Sequence, residues 1–352
     1  MNSRDRILTT LQGGIPDRVG RYEYFWEETL ERWRMEGMPR DAMPGDHFGL
    51  DLHLLPRPDL SFQFPEELVE ETADHVTRRD SNGVLVRRVR HGEGHPPQWL
   101  EYRLKNARDW YQYKELLNST EGRIDPTTLA DCTAARAKGA FVVFNSNEAF
   151  IPSWNAVGQV AILMMMAEEP EVVRDMFETY ATLLIAIAEA MRGSGIEFDG
   201  AWLRGDMAYH KGPMFSPAMY DELLFPQHRR LCDYFRSIGK PVMLHTDGKI
   251  DMMIPRYIEA GFCAIHPLEA KCDQDVRVLK ELYGTRITLF GNIDARKLSG
   301  TREEVEEEVR GKVTAAAKGG RYIFHSDHSI PPTVPYENYL YALELLEKYG
   351  TY

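Results

Sequence analysis

The chain has 352 residues, of which 43% are hydrophobic and 27% charged, a balance that suits a folded enzyme and excludes disordered or collagen-like classes. Its formal net charge of −12 argues against nucleic acid as a partner, since neutralising phosphates takes clustered Lys and Arg. No apolar run reaches the roughly 18 residues of a membrane span, and MNSRDRILTTLQG lacks the apolar centre of a signal peptide. The four cysteines (Cys132, Cys232, Cys263, Cys272) show no CxxC spacing, so the expectation is a cytoplasmic protein with reduced thiols and no membrane contact.

In chain order, residues 3–12 read as a capped helix and the turn GGIPDR leads to a first strand over 19–25. Residues 27–36 return to helix, and HFGLDLHLLP, with Leu50, Leu52, Leu54 and Leu55 around Asp51 and His53, predicts the second strand. Residues 74–104 behave differently. HVTRRD and VLVRRVRHG alternate apolar and charged residues about Ser81-Asn82-Gly83, the pattern of a hairpin with one solvated face, and 98–104 add a third strand. A stretch of about 30 residues cannot bury a core alone, so this is an insertion and not a domain.

AFVVFN (140–145) is a β-run leading to Asn147 and Glu148, and a helical region follows over 158–194, its Met164–Met166 read as core packing. FDGAWLRGD (198–206) is a strand ending in Arg204 and Asp206, followed by a helix over 217–238 and the strand PVMLHTD (241–247). Helices over 249–260, 273–283, 301–319 and 335–349 then alternate with strands over 263–268, 286–291 and 321–325. Eight strands, near residues 20, 50, 142, 200, 243, 265, 289 and 323, favour a closed (β/α)8 TIM barrel over a doubly wound sheet. It would span 1–352 as one domain, with the 74–104 hairpin inserted after the second strand. No GxGxxG follows a strand and no GxxxxGK[ST] occurs, which leaves dinucleotide and P-loop chemistry without support.

In such a barrel the carboxyl ends of the strands converge on one mouth. They would bring together Glu148, Arg204, Asp206, His245, Asp247, His266, Glu269, Asn292, Asp294, His325, Asp327 and His328. His245-x-Asp247 puts two donors on one face of an extended segment, and Glu269 and His328 can complete the set. Mixed N/O donors suit Zn2+ or another divalent metal with a position left open for substrate. A hydrogen-bonded His/Asp network moving protons without metal is the competing reading. Arg204 and Asp206 read as substrate contacts or as an ion pair, and Asn292 and Asp294 as site residues or as turn caps. His266 reads as core, His325 as an orienter of His328, and EEVEEEVR (303–310) as a solvated helix face.

The runs PVMLHTDGKIDMMIPRYIEAGFCAIHPLE, LKELYGTRITLFGNIDARKLSGTREEVEEEV and GGRYIFHSDHSIPPTVPYENYLYALELLEKYG resemble the uroporphyrinogen decarboxylase superfamily. The resemblance implies a (β/α)8 barrel, a homodimer, and either decarboxylation or methyl transfer with a corrinoid or coenzyme M. The decarboxylases grip substrate carboxylates with an Arg-Gln-Ala-Gly-Arg segment after the first strand. Here Phe25, Trp26 and Glu27 stand there, while Asp51 falls where that branch keeps a catalytic aspartate. The methyltransferases hold Zn2+ through His-x-Cys on the fifth strand and Cys after the eighth. Those positions match His245, Asp247 and His328, a harder donor set that suits an ether or amine methyl donor better than a thiol.

The resulting expectation is methyl transfer between a small substrate and a corrinoid carried by a partner protein. A metal would be held by His245, Asp247, Glu269 and His328, with Asp51, Glu148, Arg204, Asp206, Asn292 and Asp294 as catalytic groups. Tyr24 and Trp26, with Tyr22 and Phe25, would pack against a ring or the corrinoid face. The alternative is decarboxylation of a tetrapyrrole or a smaller acid, with Asp51 as the catalytic group and Arg21 and Arg204 as the basic residues. A third possibility, from another class, is a barrel without activity that serves as a receptor.

Overall fold

The computed structural model describes residues 1–90 and 97–352. Its strands in chain order are β1 (Gly20–Arg21), β2 (Leu52–Leu54), β3 (Glu67–Glu71), β4 (His75–Arg79), β5 (Leu85–Val89), β6 (Gln98–Glu101) and β7 (Phe141–Asn147). There follow β8 (Gly200–Arg204), β9 (Ala208–Tyr209), β10 (Gly212–Pro213), β11 (Val242–His245), β12 (Ala264–His266), β13 (Thr288–Phe290) and β14 (Tyr322–Phe324). Eight of them form one parallel sheet in the order β1-β14-β13-β12-β11-β8-β7-β2. The remaining seam, between β1 and β2, is bridged by Asp51, whose N–H donates to the Arg21 carbonyl at 2.8 Å while its Oδ2 accepts the Arg21 N–H at 2.8 Å. All eight barrel strands lie at the positions expected from the sequence.

Strand side chains alternate between two faces, and the register shows which face is inside. Met243 lies opposite Trp202 and Ala264, and His245 opposite Arg204 and His266. The inward set Leu52, Phe141, Val143, Trp202, Met243, Ala264, Phe290 and Ile323 packs as one core, stopped at the lower end by Ile7 and Leu11 of the helix Ser3–Leu11. The alternate residues (Val142, Phe144, Leu203, Leu244, Ile265, Leu289) face outward into a second core under the helices. The helix Pro170–Gly193 covers part of it with Val173, Met176, Phe177, Tyr180, Leu184, Ile187 and Met191, an apolar stripe at helical spacing. Met165 and Met166 are buried, in keeping with a packing role, whereas Met164 is exposed.

The expected helix over 158–194 is two helices, because Pro170 starts a new one at its first turn. The helices Ala107–Tyr113 and Thr128–Ala137 had no counterpart in the sequence reading. The insertion is a four-stranded antiparallel sheet, β3-β4-β5-β6. Its extra strand, β3, is exposed at all five residues, so no burial pattern marks it. Residues 91–96, inside the expected hairpin region, lie outside the described residues. Among the described residues no single helix is long and apolar enough to cross a membrane.

Candidate functional site

Two residues beyond the apolar interior layer, the inward positions turn polar. Met243 gives way to His245, Ala264 to His266, Trp202 to Arg204, Val143 to Asn145 and Ile323 to His325. At the carboxyl end of the barrel these surround a cavity of about 260 Å³ lined by Tyr24, Arg57, Arg204, His245, Asp247, His266, Pro267, His325, His328 and Ser329. A larger cavity, about 500 Å³, opens between the helices Val276–Tyr283 and Arg302–Ala316 and is lined by Arg277, Lys280, Lys318 and Arg321. Lys318 follows the carboxyl end of the second helix, where it offsets the helix dipole, whereas Arg277 is in the first turn of the first helix and pairs with Asp275. It carries no convergent set of acids and imidazoles.

The floor of the smaller cavity is aromatic. The His266 ring meets Trp202, Phe290 and His325 edge-on at 4.8, 4.7 and 4.3 Å between centroids. His245 Nδ1 and His266 Nδ1 lie 2.7 Å apart, so the two imidazoles share one proton between these nitrogens. Burial holds the His266 imidazolium well below the usual range and pushes His325 down to about 3, so both rings are neutral near pH 7. His325 donates from Nδ1 to the Ser326 carbonyl at 2.6 Å, which fixes its tautomer. Below it the buried Glu23 carboxyl accepts the Ser326 N–H at 3.0 Å and O–H at 2.7 Å, and burial raises its pKa well above the ordinary value.

On the rim, Nε2 of His245 lies 3.2 Å from Asp206 Oδ1 and 3.6 Å from Asp247 Oδ1. Both Oδ1 atoms are buried without a hydrogen-bond partner. His245 and Asp206 are close enough to pair when the imidazole is protonated, and the three side chains converge on one point of the rim. Their ligand atoms all lie within 4.8 Å of each other, and a second group within the same limit is Asp247, Glu269 and His328. The four residues expected to bind metal therefore fall into two overlapping sets joined by Asp247, and Asp206 belongs to the first. Burial and the neighbouring Asp206 and Glu269 carboxylates raise the Asp247 pKa despite His245. Burial opposes ionisation of Asp206 as well, but His245, the Asp247 amide and Arg204 outweigh it and hold the carboxyl below its ordinary range. Glu269 is partly committed: Oε2 accepts the Gly248 N–H at 2.7 Å and the Cys272 thiol at 3.2 Å, and Oε1 pairs with Lys271 at 2.8 Å. The unpartnered oxygens and the hard N/O donor set fit a divalent cation.

Several expected site residues lie elsewhere. Asp51 is at the amino end of β2, under the barrel, fully buried between Arg6 at 2.7 Å and Arg18 at 2.9 Å. Glu148 follows the inward Asn147 and so points outward, where it bonds the Phe150 N–H at 2.8 Å and His228 at 3.1 Å behind the sheet. Asn292 is a buried cap, accepting the Val276 N–H at 2.9 Å and donating to the Leu268 and Gln274 carbonyls. Asp294 caps the helix Ala295–Leu298 and pairs with Arg296 at 2.7 Å. Trp26 is exposed at the start of the helix Glu27–Met35 and does not line the cavity. Phe25 packs outward against Trp33, Phe48 and Tyr339, leaving Tyr24 as the aromatic that reaches the cavity. Arg21 turns to Glu347 and the Gly49 carbonyl. The basic residue that joins Arg204 at the cavity is Arg57, in the loop after β2, where no sequence pattern marks it.

The family model described as uroporphyrinogen decarboxylase (URO-D) matches residues 155–349, more than half of the chain. The uroporphyrinogen decarboxylase of Syntrophotalea carbinolica is 22% identical over 199 residues, covering 54% of this chain and 52% of that protein. That of Geobacter metallireducens is 27% identical over 139 residues, covering 39% of each. The chain thus spans about half the length, or less, of the curated relatives it matches. Among solved structures, a methyltransferase from Methanosarcina mazei superposes with a TM-score of 0.70 at 17% identity, covering 99% of both chains, and so has the same fold. On the match of more than half its length, this chain belongs to the uroporphyrinogen decarboxylase (URO-D) family.

Proposed function

We propose that this protein is a metal-assisted methyltransferase that moves a methyl group between a small methylated substrate and a corrinoid carried by a partner protein. The observation that carries the reading is the convergence of His245, Asp206 and Asp247 at the cavity, with two buried carboxylate oxygens left without partners. These three residues would hold Zn2+ or another divalent metal, and Glu269 and His328 border it through Asp247. A bound divalent ion supplies Lewis acidity to the heteroatom that gains or loses the methyl group.

The chain's own residues do the rest. His266, neutral and wedged among Trp202, Phe290 and His325, fixes the His245 ring through the shared Nδ1 proton. Tyr24 and Arg204, in contact with one another, form a rigid wall for the substrate. A cavity of about 260 Å³ lies below the range of pockets for drug-sized ligands, which favours a small substrate over a tetrapyrrole.

The second reading is decarboxylation of a small carboxylic acid, which the two guanidinium groups at the cavity favour. The sequestration of Asp51 removes the group on which that chemistry was expected to rest.

The test is elemental analysis of protein purified without added metal or chelator, alongside Asp247→Ala, and then a screen of methylated donors with a corrinoid protein, read by methyl-corrinoid formation. About one equivalent of a transition metal, lost in the variant, together with corrinoid methylation supports the proposal. Metal-free wild-type protein, or a metal retained by Asp247→Ala, sinks the site as drawn. Carbon dioxide release from a small acid, with no methyl transfer, selects the second reading.

A further inference from the structure

The barrel mouth holds two guanidinium groups, Arg57 and Arg204, that make no ion pair among the described residues. Arg204 is 8% exposed, and its guanidinium lies 4.9 Å from the Tyr24 ring centroid and 5.5 Å from that of Trp202 and donates to Asn145 Oδ1 at 3.2 Å and to the Tyr24 hydroxyl. Arg57, across the same cavity, makes no ion pair among the described residues. Asp206 acts on both guanidinium groups, and Asp247 on Arg204, only through space. Several arginines elsewhere close onto acids, Arg6 and Arg18 on Asp51, Arg296 on Asp294 and Arg277 on Asp275, while the buried Arg123 is satisfied by backbone carbonyls.

Arg57 is exposed and can stay hydrated, whereas Arg204 is withdrawn from water, and such an ion costs several kcal/mol unless a counter-charge meets it. The scaffold holds Arg204 in one orientation by stacking and by a neutral amide, and leaves its remaining donors facing the cavity. A planar, fixed guanidinium matches a carboxylate through two parallel hydrogen bonds. These arginines come from the loop after β2 and the end of β8, not from the segment after the first strand, where Phe25, Trp26 and Glu27 stand.

We infer that the substrate is a small carboxylate, its anionic end taken by Arg57 and Arg204 and its reacting heteroatom turned toward His245 and Asp206. The orientation of the reacting end rests on the proposed methyl transfer; the grip on the anion does not. A cavity of this size with two guanidinium groups takes one carboxylate on a short skeleton.

The test compares acids with their neutral primary amides on the wild-type protein, Arg57→Met and Arg57→Lys. The probes are methoxyacetate with methoxyacetamide and benzoate with benzamide, measured by ligand-observed NMR and calorimetry. Arg57 lies on an exposed loop, so its replacement spares the core. At least one acid should bind the wild type about tenfold or more tighter than its amide. Arg57→Met should bring that preference below about threefold without changing amide binding, and Arg57→Lys should keep part of it. Equal binding of acid and amide, or no detectable binding by either acid, overturns the inference. So does a preference that survives Arg57→Met and disappears with a chelator, which would assign the anion to a metal. Because the assay needs no corrinoid, acid preference without methyl transfer removes the proposed reaction and leaves the anion site standing.

Discussion

Replacing Asp51 with Asn separates a structural reading of this residue from a catalytic one. Its Oδ1 accepts from Ser3 Oγ at 2.7 Å, Arg6 Nη1 at 2.7 Å and Arg18 Nη2 at 3.1 Å; its Oδ2 accepts from Arg18 Nη1 at 2.9 Å and the Arg21 N–H at 2.8 Å. The amide keeps the volume, but one of its two ends would present N–H groups to donors. Removing one partner of a buried ion pair costs about 3–5 kcal/mol. Arg6 retains Asp17 at 2.7 Å, which places the effect near the lower end, ~3 kcal/mol. With an unfolding entropy of about 2.1 cal/mol/K per residue, 352 residues convert ~3 kcal/mol into a fall in Tm of roughly 4 °C. Differential scanning calorimetry should show that fall, while metal content and ligand binding stay at wild-type levels. An unchanged Tm with lost activity would falsify the placement of Asp51 outside the active site.

The other carboxylates give parallel expectations. Glu148→Ala strands His228 and the Phe150 N–H behind the sheet and should cost about 3 kcal/mol with metal content unchanged; loss of metal at full stability would mean that Glu148 reaches the mouth. Asp294→Ala removes the cap of a four-residue helix and should cost about 1 kcal/mol without altering ligand affinity, measured by urea unfolding and calorimetric titration; a stable variant that binds no ligand contradicts this. The pH dependence of stability should report His325. Burial takes its pKa from 6.5 to about 3, so between these values the unfolded chain binds a proton that the folded one refuses, and stability falls as pH falls. The advantage of the wild type over His325→Gln should shrink by roughly 1.6 kcal/mol between pH 6.5 and pH 5. Parallel Tm curves for the two proteins over that window would contradict a neutral, buried imidazole.

The eight strands were legible because each is a short apolar run closed by polar residues. What the runs do not mark is where pairing begins and which way each side chain points. Asp51 is a catalytic candidate only through the family resemblance, whereas pairing starts at Leu52 and leaves Asp51 at the entrance of the strand. Glu148 is one residue past the inward Asn147, so alternation turns it outward. Asn292 fails for another reason: Gly291 and Asn292 both take positive φ, 132° and 92°, which ends the alternation at Phe290. The same period of two reveals what was underweighted, since Ala264 to His266 and Ile323 to His325 repeat the step from Met243 to His245. From the sequence His266 reads as core and His325 as an orienter of His328; both are buried and line the cavity floor. Arg57 carries no such signal; only the folded loop brings it to the mouth.

Opposite charges stand close together in the mouth without cancelling. Arg204 and Asp206 are two residues apart, and a scaffold selected for stability alone would let them pair. Instead Gly205 passes directly over Glu148, where a Cβ would sit 2.8 Å from its Oε1. That close approach, open only to glycine, lets the chain turn so that Asp206 faces His245 while Arg204 faces Asn145 and Tyr24. Glu148 is held by His228, itself bonded to Tyr220 at 2.9 Å, so the turn rests on a rigid buried support. The acids are thereby held apart from the guanidinium groups, in keeping with the proposed cation and anion sites, and such a separation costs stability and is the expected mark of a binding site. Glu148, which the sequence suggested as a catalytic group, lies behind the site, bonded to His228 and the Phe150 N–H and packed under Gly205.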